Sequence, residues 1–380
     1  MPVQRLKTAK RVVVKVGSNV LTAPDGLHID VLEGISRQIS ALIDQGLEIL
    51  LVSSGAMAVG IRKMGLDQRP DEIPKRQAIA AMGQSGLMNA YETAFGHYDK
   101  RVAQLLLTSE DLTDRQRYLN ARNALSTLMT WKVVPIINEN DTVMVEEIKL
   151  GDNDNLAAMI TLLMDADFLI NLTDIDGLYT KDPRTEPDAQ FIDQVETFSR
   201  EVETFASHIP GALGRGGMQS KIKAAKKVTS AGVPMIIAKG SHPDILLKLF
   251  AGEPHGTYFV PREKKLTRRK CWIAYTLSPK GTIVIDKGAR RALEQGGKSL
   301  LPSGIVAVEG DFGVGAPVAF KTADNQPLGI GLVNYSAKDI RTIMGCKTDQ
   351  ITACLGAKPY DEVIHRNNLV IIADSESGDG

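Results

Sequence analysis

Five apolar runs in the first two thirds of the chain end in the same way, on small or polar residues. Arg11-Val12-Val13-Val14-Lys15-Val16 runs into Gly17-Ser18, Ile49-Leu50-Leu51-Val52 into Ser53-Ser54-Gly55, and Val133-Val134-Pro135-Ile136-Ile137 into Asn138. Phe168-Leu169-Ile170-Asn171-Leu172 runs into Thr173-Asp174, and Met235-Ile236-Ile237 into Ala238-Lys239-Gly240. Continuous rather than alternating apolar runs of this length predict strands buried on both faces. Between them, helical periodicity predicts helices over about 29–45, 74–95, 115–129, 155–164 and 218–231. Alternating strand and helix imply a mostly parallel α/β sheet sandwiched by helices, in which ligands bind beyond the carboxyl ends of the strands. Near Gly256 the pattern stops. Short runs broken by Gly and Pro follow, at 281–285, 304–308, 317–320 and 329–333, with a helix near 289–295. They predict a small β-rich domain.

The expected division is therefore an α/β domain over 1–260, a basic linker over 261–273 for which a solvated basic strand is the alternative, a β-rich domain over 274–367 and a C-terminal tail over 368–380 that is polar and disordered from Asp374. A chain of 380 residues is too long for one ordinary core. Forty-five basic and forty-five acidic residues cancel, so no global field draws it to nucleic acid or anionic lipid. Met1 to Lys7 leads towards the first strand without an apolar leader segment, and no run approaches a membrane span, which predicts a cytoplasmic protein. Cys271, Cys346 and Cys354 lack metal-ligand spacing and are expected to be buried thiols.

Several motifs are excluded. Gly296-Gly297-Lys298-Ser299 imitates a phosphate-binding P-loop, but Ala292 stands where that loop needs its first glycine. No G-x-G-x-x-G follows the first strand, and neither Ser54 nor Ser85 lies in a G-x-S-x-G elbow. The six histidines are scattered. What remains is a set of lysines, glycines, carboxylates and amides without a histidine base. Lys15 stands at the end of a buried strand, where a lysine needs a charged partner or ligand. Gly214-Arg215-Gly216-Gly217-Met218 opens a helix whose free N–H groups suit a phosphate, with Lys221 in the first turn. Two lysines and a helix N-terminus suit phosphoryl transfer, which is mostly positioning and charge neutralisation. An acceptor that is already a carboxylate needs no base, since its pKa of about 4.3 leaves it ionised at neutral pH.

The densest polar region, 138–177, holds Asn138-Glu139-Asn140-Asp141, Gly151-Asp152-Asn153-Asp154-Asn155 and Thr173-Asp174-Ile175-Asp176-Gly177. Capping and turn formation are the alternatives to chemistry here: Asp152 or Asp154 could cap the following helix, and Asp176-Gly177 reads as a turn. Taken with Val14-Lys15-Val16-Gly17-Ser18, Val52-Ser53-Ser54-Gly55-Ala56, Gly177-Leu178-Tyr179 and Gly216-Gly217-Met218 with Lys221, these clusters resemble the glutamate 5-kinase family in order and spacing. The segment from Gly288-Ala289 to Leu301-Pro302 resembles the PUA domain appended to many bacterial members.

The resemblance implies an amino-acid-kinase-like fold and ATP-dependent phosphorylation of the side-chain carboxylate of L-glutamate, with Mg2+ accompanying ATP. It implies that Lys15 and Lys221 contact the ATP phosphates and that Asp154 orients them. Ser54, Asp141, Asn153 and Asn138 fall on the glutamate side. Thr173, Asp174, Arg215, Gly216, Gly217 and Met218 join the two lysines on the nucleotide side. Arg215 and Ser220 depart from the family pattern, which usually has a small residue and Thr there. The family also implies a homo-oligomer (dimer or tetramer), inhibition by proline, and hand-over of product to a glutamyl phosphate reductase. The alternatives are a sister kinase with another acceptor, or an RNA-binding PUA protein on a kinase scaffold. Residues 275–365 carry ten Lys/Arg against nine Asp/Glu, a poor electrostatic footprint for RNA.

Overall fold

The computed structural model describes residues 2–23, 26–143, 153–207, 209, 217–263 and 266–372. The chain divides into two compact units, Met1–Lys265 and Leu266–Gly380. Each has its own apolar core among the described residues.

The first unit is built on an eight-stranded sheet. Its strands are β1 (Arg11–Val16), β2 (Glu48–Ser53), β3 (Arg101–Leu107), β4 (Val133–Glu139), β5 (Phe168–Thr173), β6 (Gln194–Val195), β7 (Met235–Lys239) and β8 (Thr257–Phe259). Their order across the sheet is β6-β8-β7-β5-β1-β2-β4-β3, with β7 and β8 the antiparallel pair among parallel neighbours. All five predicted strands are present, and β1, β2, β4, β5 and β7 are almost wholly buried, as continuous apolar runs require. The mostly parallel sheet with covering helices agrees with the sequence reading. That reading missed β3, an edge strand in which Arg101 and Gln104 face solvent and break the apolar run. It also passed over the helix Pro2–Lys7 that precedes β1.

The crossover helices include α1 (Ile29–Asp44), α2 (Ala56–Lys63), α3 (Ile73–Gly96), α4 (Arg115–Thr130), α5 (Asn153–Leu163), α6 (Met218–Ser230) and α7 (Ile245–Ala251). Two of these contacts position the site. α5 is apolar nearly all round and buried along its length, lying against β1 and β5 on one side and α6 on the other. α2 and α3 cross at backbone distance through glycines: a Cβ on Gly83 would lie 1.7 Å from the Ala56 carbonyl oxygen, and one on Gly60 would lie 2.0 Å from that of Ile79.

In the second unit a five-stranded sheet is formed by β9 (Thr282–Ile285), β10 (Ile305–Glu309), β11 (Pro317–Thr322), β12 (Pro327–Leu332) and β13 (Leu369–Ile371), in the order β10-β9-β11-β12-β13. Four of these strands are the predicted ones. The fifth corrects the tail expected from residue 368, because Leu369 and Val370 are buried and β13 pairs with β12. The expected linker is also corrected in part: Thr267 caps a helix α8 (Arg268–Thr276) that packs against β12 and β13, so its basic residues lie on a helix whose Cys271, Trp272 and Ile273 are buried. Residues 373–380 of the expected tail lie outside the described residues. Gly297 ends the helix α9 (Lys287–Gly296) in the left-handed conformation, φ 54°, which is why that glycine is there without a phosphate loop.

The buried-thiol expectation holds only for Cys271. Cys354 is exposed, Cys346 is half-buried, and their sulfurs lie 3.6 Å apart.

Candidate active site

Parallel pairing places the carboxyl ends of β7, β5, β1, β2 and β4 side by side. Lys15 is in register with Asn171 of β5 and Val52 of β2, and Thr173 is in register with Lys239. Residues from distant parts of the chain therefore meet along one edge, with β1 between a β5/β7 side and a β2/β4 side. Gly17 closes β1 because its position is confined: a Cβ there would lie 3.3 Å from the Leu172 carbonyl oxygen and 3.7 Å from Lys15 Nζ.

At the centre is Asp154, in the first turn of α5 and fully buried. Lys15 Nζ lies 2.6 Å from its Oδ1, and Lys221 Nζ 3.1 Å from its Oδ2. Asn171 Nδ2 donates to Oδ1 at 2.8 Å and Ser220 Oγ to Oδ2 at 2.5 Å. Lys15, Asn171 and Lys221 are themselves buried. Burial pushes the Asp154 carboxyl upward, but the two ammonium groups and the hydrogen bonds outweigh it and hold it well below the usual carboxylate range. Asp154 is thus a fixed anion that aims two lysines from different elements at one place. The capping alternative does not describe this carboxylate, whose oxygens meet side chains of β1, β5 and α6.

On the β2/β4 side lies a chain of neutral polar groups. Asn153, the first residue of α5, donates through Nδ2 to Ser54 Oγ (2.8 Å), Asn138 Oδ1 (3.0 Å) and the Ser53 carbonyl (3.2 Å). Asn138, buried at the end of β4, also accepts from its neighbour's Glu139 N–H at 2.9 Å and donates through Nδ2 to Gln84 Oε1 at 2.8 Å. Beneath them Ser53 Oγ donates to the Ser54 carbonyl, so the Tyr91 hydroxyl, 2.8 Å away, is the donor to Ser53 Oγ. Burial pushes the Tyr91 phenol up, keeping it protonated for that role. Among the described residues, Asn153 Oδ1, Asn171 Oδ1 and Gln84 Nε2 are buried without a partner. An unpaired buried group costs about 1–3 kcal/mol, a cost that a bound polar ligand can recover.

Asp141 begins a 3-10 turn, Asp141–Val143, beside α3 and just beyond β4. On the other side, Thr173 ends β5 and its Oγ1 donates to Asp174 Oδ1 at 3.0 Å. Asn19 Nδ2 donates to Asp174 Oδ2 at 3.1 Å, and Arg184 stands 3.8 Å from it. Partial burial raises the Asp174 carboxyl, but these hydrogen bonds and Arg184 bring it below the usual range. Gly217 precedes α6, its carbonyl oxygen 2.8 Å from Ser220 Oγ, and Met218 is buried. Arg215, Gly216, Gly151 and Asp152 lie outside the described residues. Asp176 lies in the expected bend after β5, where its Oδ1 meets His242 Nε2 at 2.7 Å.

The structure brings together Lys15, Asp154 and Lys221 in one cluster, and Ser54, Asn138 and Asn153 in another. Sequence reasoning missed Asn171, Gln84, Tyr91 and Asn19. Asn171 left a signal, as the one polar residue within the run Phe168–Leu172. Gln84 left none, because one polar residue on a long helix looks like solvent-facing surface.

The amino acid kinase family matches residues 10–239, and the PUA domain matches residues 281–355. Glutamate 5-kinase from Syntrophus aciditrophicus (strain SB) is 50% identical over 372 residues, 98% of this chain and 97% of that protein. Glutamate 5-kinase from Geobacter sulfurreducens is 49% identical over 368 residues, covering 97% of this chain and 99% of its own. That from Thermoanaerobacter sp. (strain X514) is 49% identical over 367 residues, 96% and 99% respectively. With likeness at this level along nearly the whole chain, and with the lysine–aspartate centre and the amide chain flanking one strand, the chain belongs to the glutamate 5-kinases of the amino acid kinase family and carries a PUA domain.

Proposed function

We propose that this chain transfers the γ-phosphoryl group of ATP to the side-chain carboxylate of L-glutamate, forming L-glutamyl 5-phosphate for proline biosynthesis. The observation that carries this reading is the pair of buried lysines held on Asp154 beside a chain of neutral amides and a serine. Lys15 and Lys221 neutralise charge on the transferred phosphoryl group, and Asp154 holds them in place before the nucleotide arrives. The attacking oxygen is already anionic, so no general base is required. Asn153, Ser54 and Asn138 bind glutamate with Asp141, whose carboxylate pairs with the ammonium group. Thr173, Asp174 and the loop through Arg215, Gly216, Gly217 and Met218 hold the nucleotide.

Among the described residues no three His, Cys, Asp or Glu side chains converge, and Asp154 is engaged by the lysines. This donor set fits a Mg2+ that arrives on the phosphate oxygens and keeps its waters, rather than a cation held in a protein cage. Bound in that way, the ion would supply further charge neutralisation on the phosphates. Among the described residues no helix is long and apolar enough to cross a membrane. A cytoplasmic homo-oligomer that passes its labile acyl phosphate to a reductase is part of the same proposal.

The test is ADP formation with candidate acceptors. Turnover should require L-glutamate and be absent with N-acetylglutamate, aspartate or UMP. Turnover with one of those in place of glutamate assigns the chain to a sister activity. The same assay with added proline tests the inhibition expected from the family.

A further inference from the structure

The amide chain on the β2/β4 side has a definite direction, set by backbone groups that cannot rotate. Asn138 must turn its Oδ1 towards the Glu139 N–H, so its Nδ2 faces α3 and meets Gln84 Oε1. Asn153 must turn its Nδ2 towards the Ser53 carbonyl and Asn138 Oδ1, which leaves its own Oδ1 as an acceptor without a partner among the described residues. Ser54 Oγ accepts from the same Nδ2, which leaves the Ser54 hydroxyl proton available to donate. Flipping Asn153 would set its Oδ1 against the Ser53 carbonyl, and flipping Asn138 would set its Nδ2 against the Glu139 N–H. Gln84 is the terminus of this chain: it is buried, and its Oε1 accepts from the Asn138 Nδ2 that points away from the site. Gly83, one residue before it, lies in the close crossing of α3 with α2, which fixes the backbone that carries Gln84.

We propose that Gln84 is a positioning residue for the acceptor amino acid: through Asn138 it fixes Asn153 and Ser54 so that they present one acceptor, for an ammonium group, and one donor, for a carboxylate. This rests on the glutamate reading above and names a residue on which that reading does not depend.

Steady-state kinetics of Gln84→Met, Gln84→Glu, Asn153→Ala and the double variant Gln84→Met/Asn153→Ala test it. Gln84→Met keeps the volume and loses the acceptor, so the KM for glutamate should rise about tenfold while kcat and the KM for ATP stay within about threefold. Gln84→Glu keeps an oxygen against the Asn138 amide and should restore KM to within about threefold of wild type. Because Gln84 acts through Asn153, its replacement on the Asn153→Ala background should add less than about twofold. Equal increments on both backgrounds, or a lowered melting temperature with unchanged glutamate KM, would overturn the proposal. Gln84→Ala carries the same cycle if Gln84→Met does not fold. Wild-type turnover in the same series judges the glutamate reading separately; if another amino acid proves to be the acceptor, the same ratios are read with it.

Discussion

If Lys15 and Lys221 neutralise charge developing on the phosphoryl group, as proposed, replacing either with alanine should lower kcat by about 10² or more while the protein still folds. Little change in kcat for either variant would remove that lysine from the chemistry. Asp154→Asn differs in kind, since it leaves two buried lysines facing a neutral amide. Breaking a buried charge pair in this way costs about 3–5 kcal/mol, so this variant should lose stability as well as turnover. The pH dependence has a definite sign. The folded Asp154 carboxyl lies below its unfolded value of about 3.9, so its contribution is fully present above that pH and is lost as pH falls through the lower folded value. Denaturant titrations should therefore show a constant gap between wild type and Asp154→Asn from pH 7 to 5, narrowing only in stronger acid. A gap that closes between pH 7 and 5 would contradict the assignment. Lys15 could be picked out from the sequence, since a lysine in a buried strand needs a partner, whereas a carboxylate opening a helix reads equally as a cap and the part of Asp154 was implied only by the family resemblance. Gln84 and Asn171 as members of the same polar edges could not, because a glutamine 54 positions before Asn138 acquires its meaning only when α3 is laid beside β4.

Among the elements, the crossing of α2 and α3 sets where the β2/β4 side of the site stands. A glycine inside a helix costs about 1 kcal/mol relative to alanine, so propensity alone predicts that Gly83→Ala stabilises. The structure predicts the opposite sign. The added methyl group would meet the Ala56 carbonyl oxygen at 1.7 Å, a backbone atom that cannot move aside as a side chain could. Overpacking of this kind costs about 1–3 kcal/mol and outweighs the propensity gain. Thermal denaturation of Gly83→Ala should show a lower midpoint, and a raised one would show that the helices separate freely. The buried strands were legible in the sequence because both faces must be apolar. β3 was not, since an edge position tolerates Arg101 and Gln104. The run of basic residues from 262 to 270 read as a linker because charge says nothing of what the intervening Cys271-Trp272-Ile273 will bury.

At the scale of the whole molecule, the separate apolar cores of the two units, among the described residues, imply two folding units. A fragment ending at residue 265 holds every residue proposed for catalysis or binding. It should fold by itself and phosphorylate glutamate with kcat within about tenfold of the full chain, which calorimetry and the ADP assay would check. A fragment that does not fold would show that the units depend on each other. By itself, the sequence determined the class of the fold, the site's position at the strand ends and the kinds of group available for chemistry, because burial dictates apolar periodicity and unpaired polar residues are costly. The tertiary structure decided which of those groups meet. Lys15, Asp154 and Lys221 are far apart along the chain, and only the order of parallel strands and the seating of α5 between the sheet and α6 bring two ammonium groups to one carboxylate. Hydrogen-bond direction is likewise a property of the fold, since a side-chain amide can turn either way until a backbone N–H or carbonyl is placed against it.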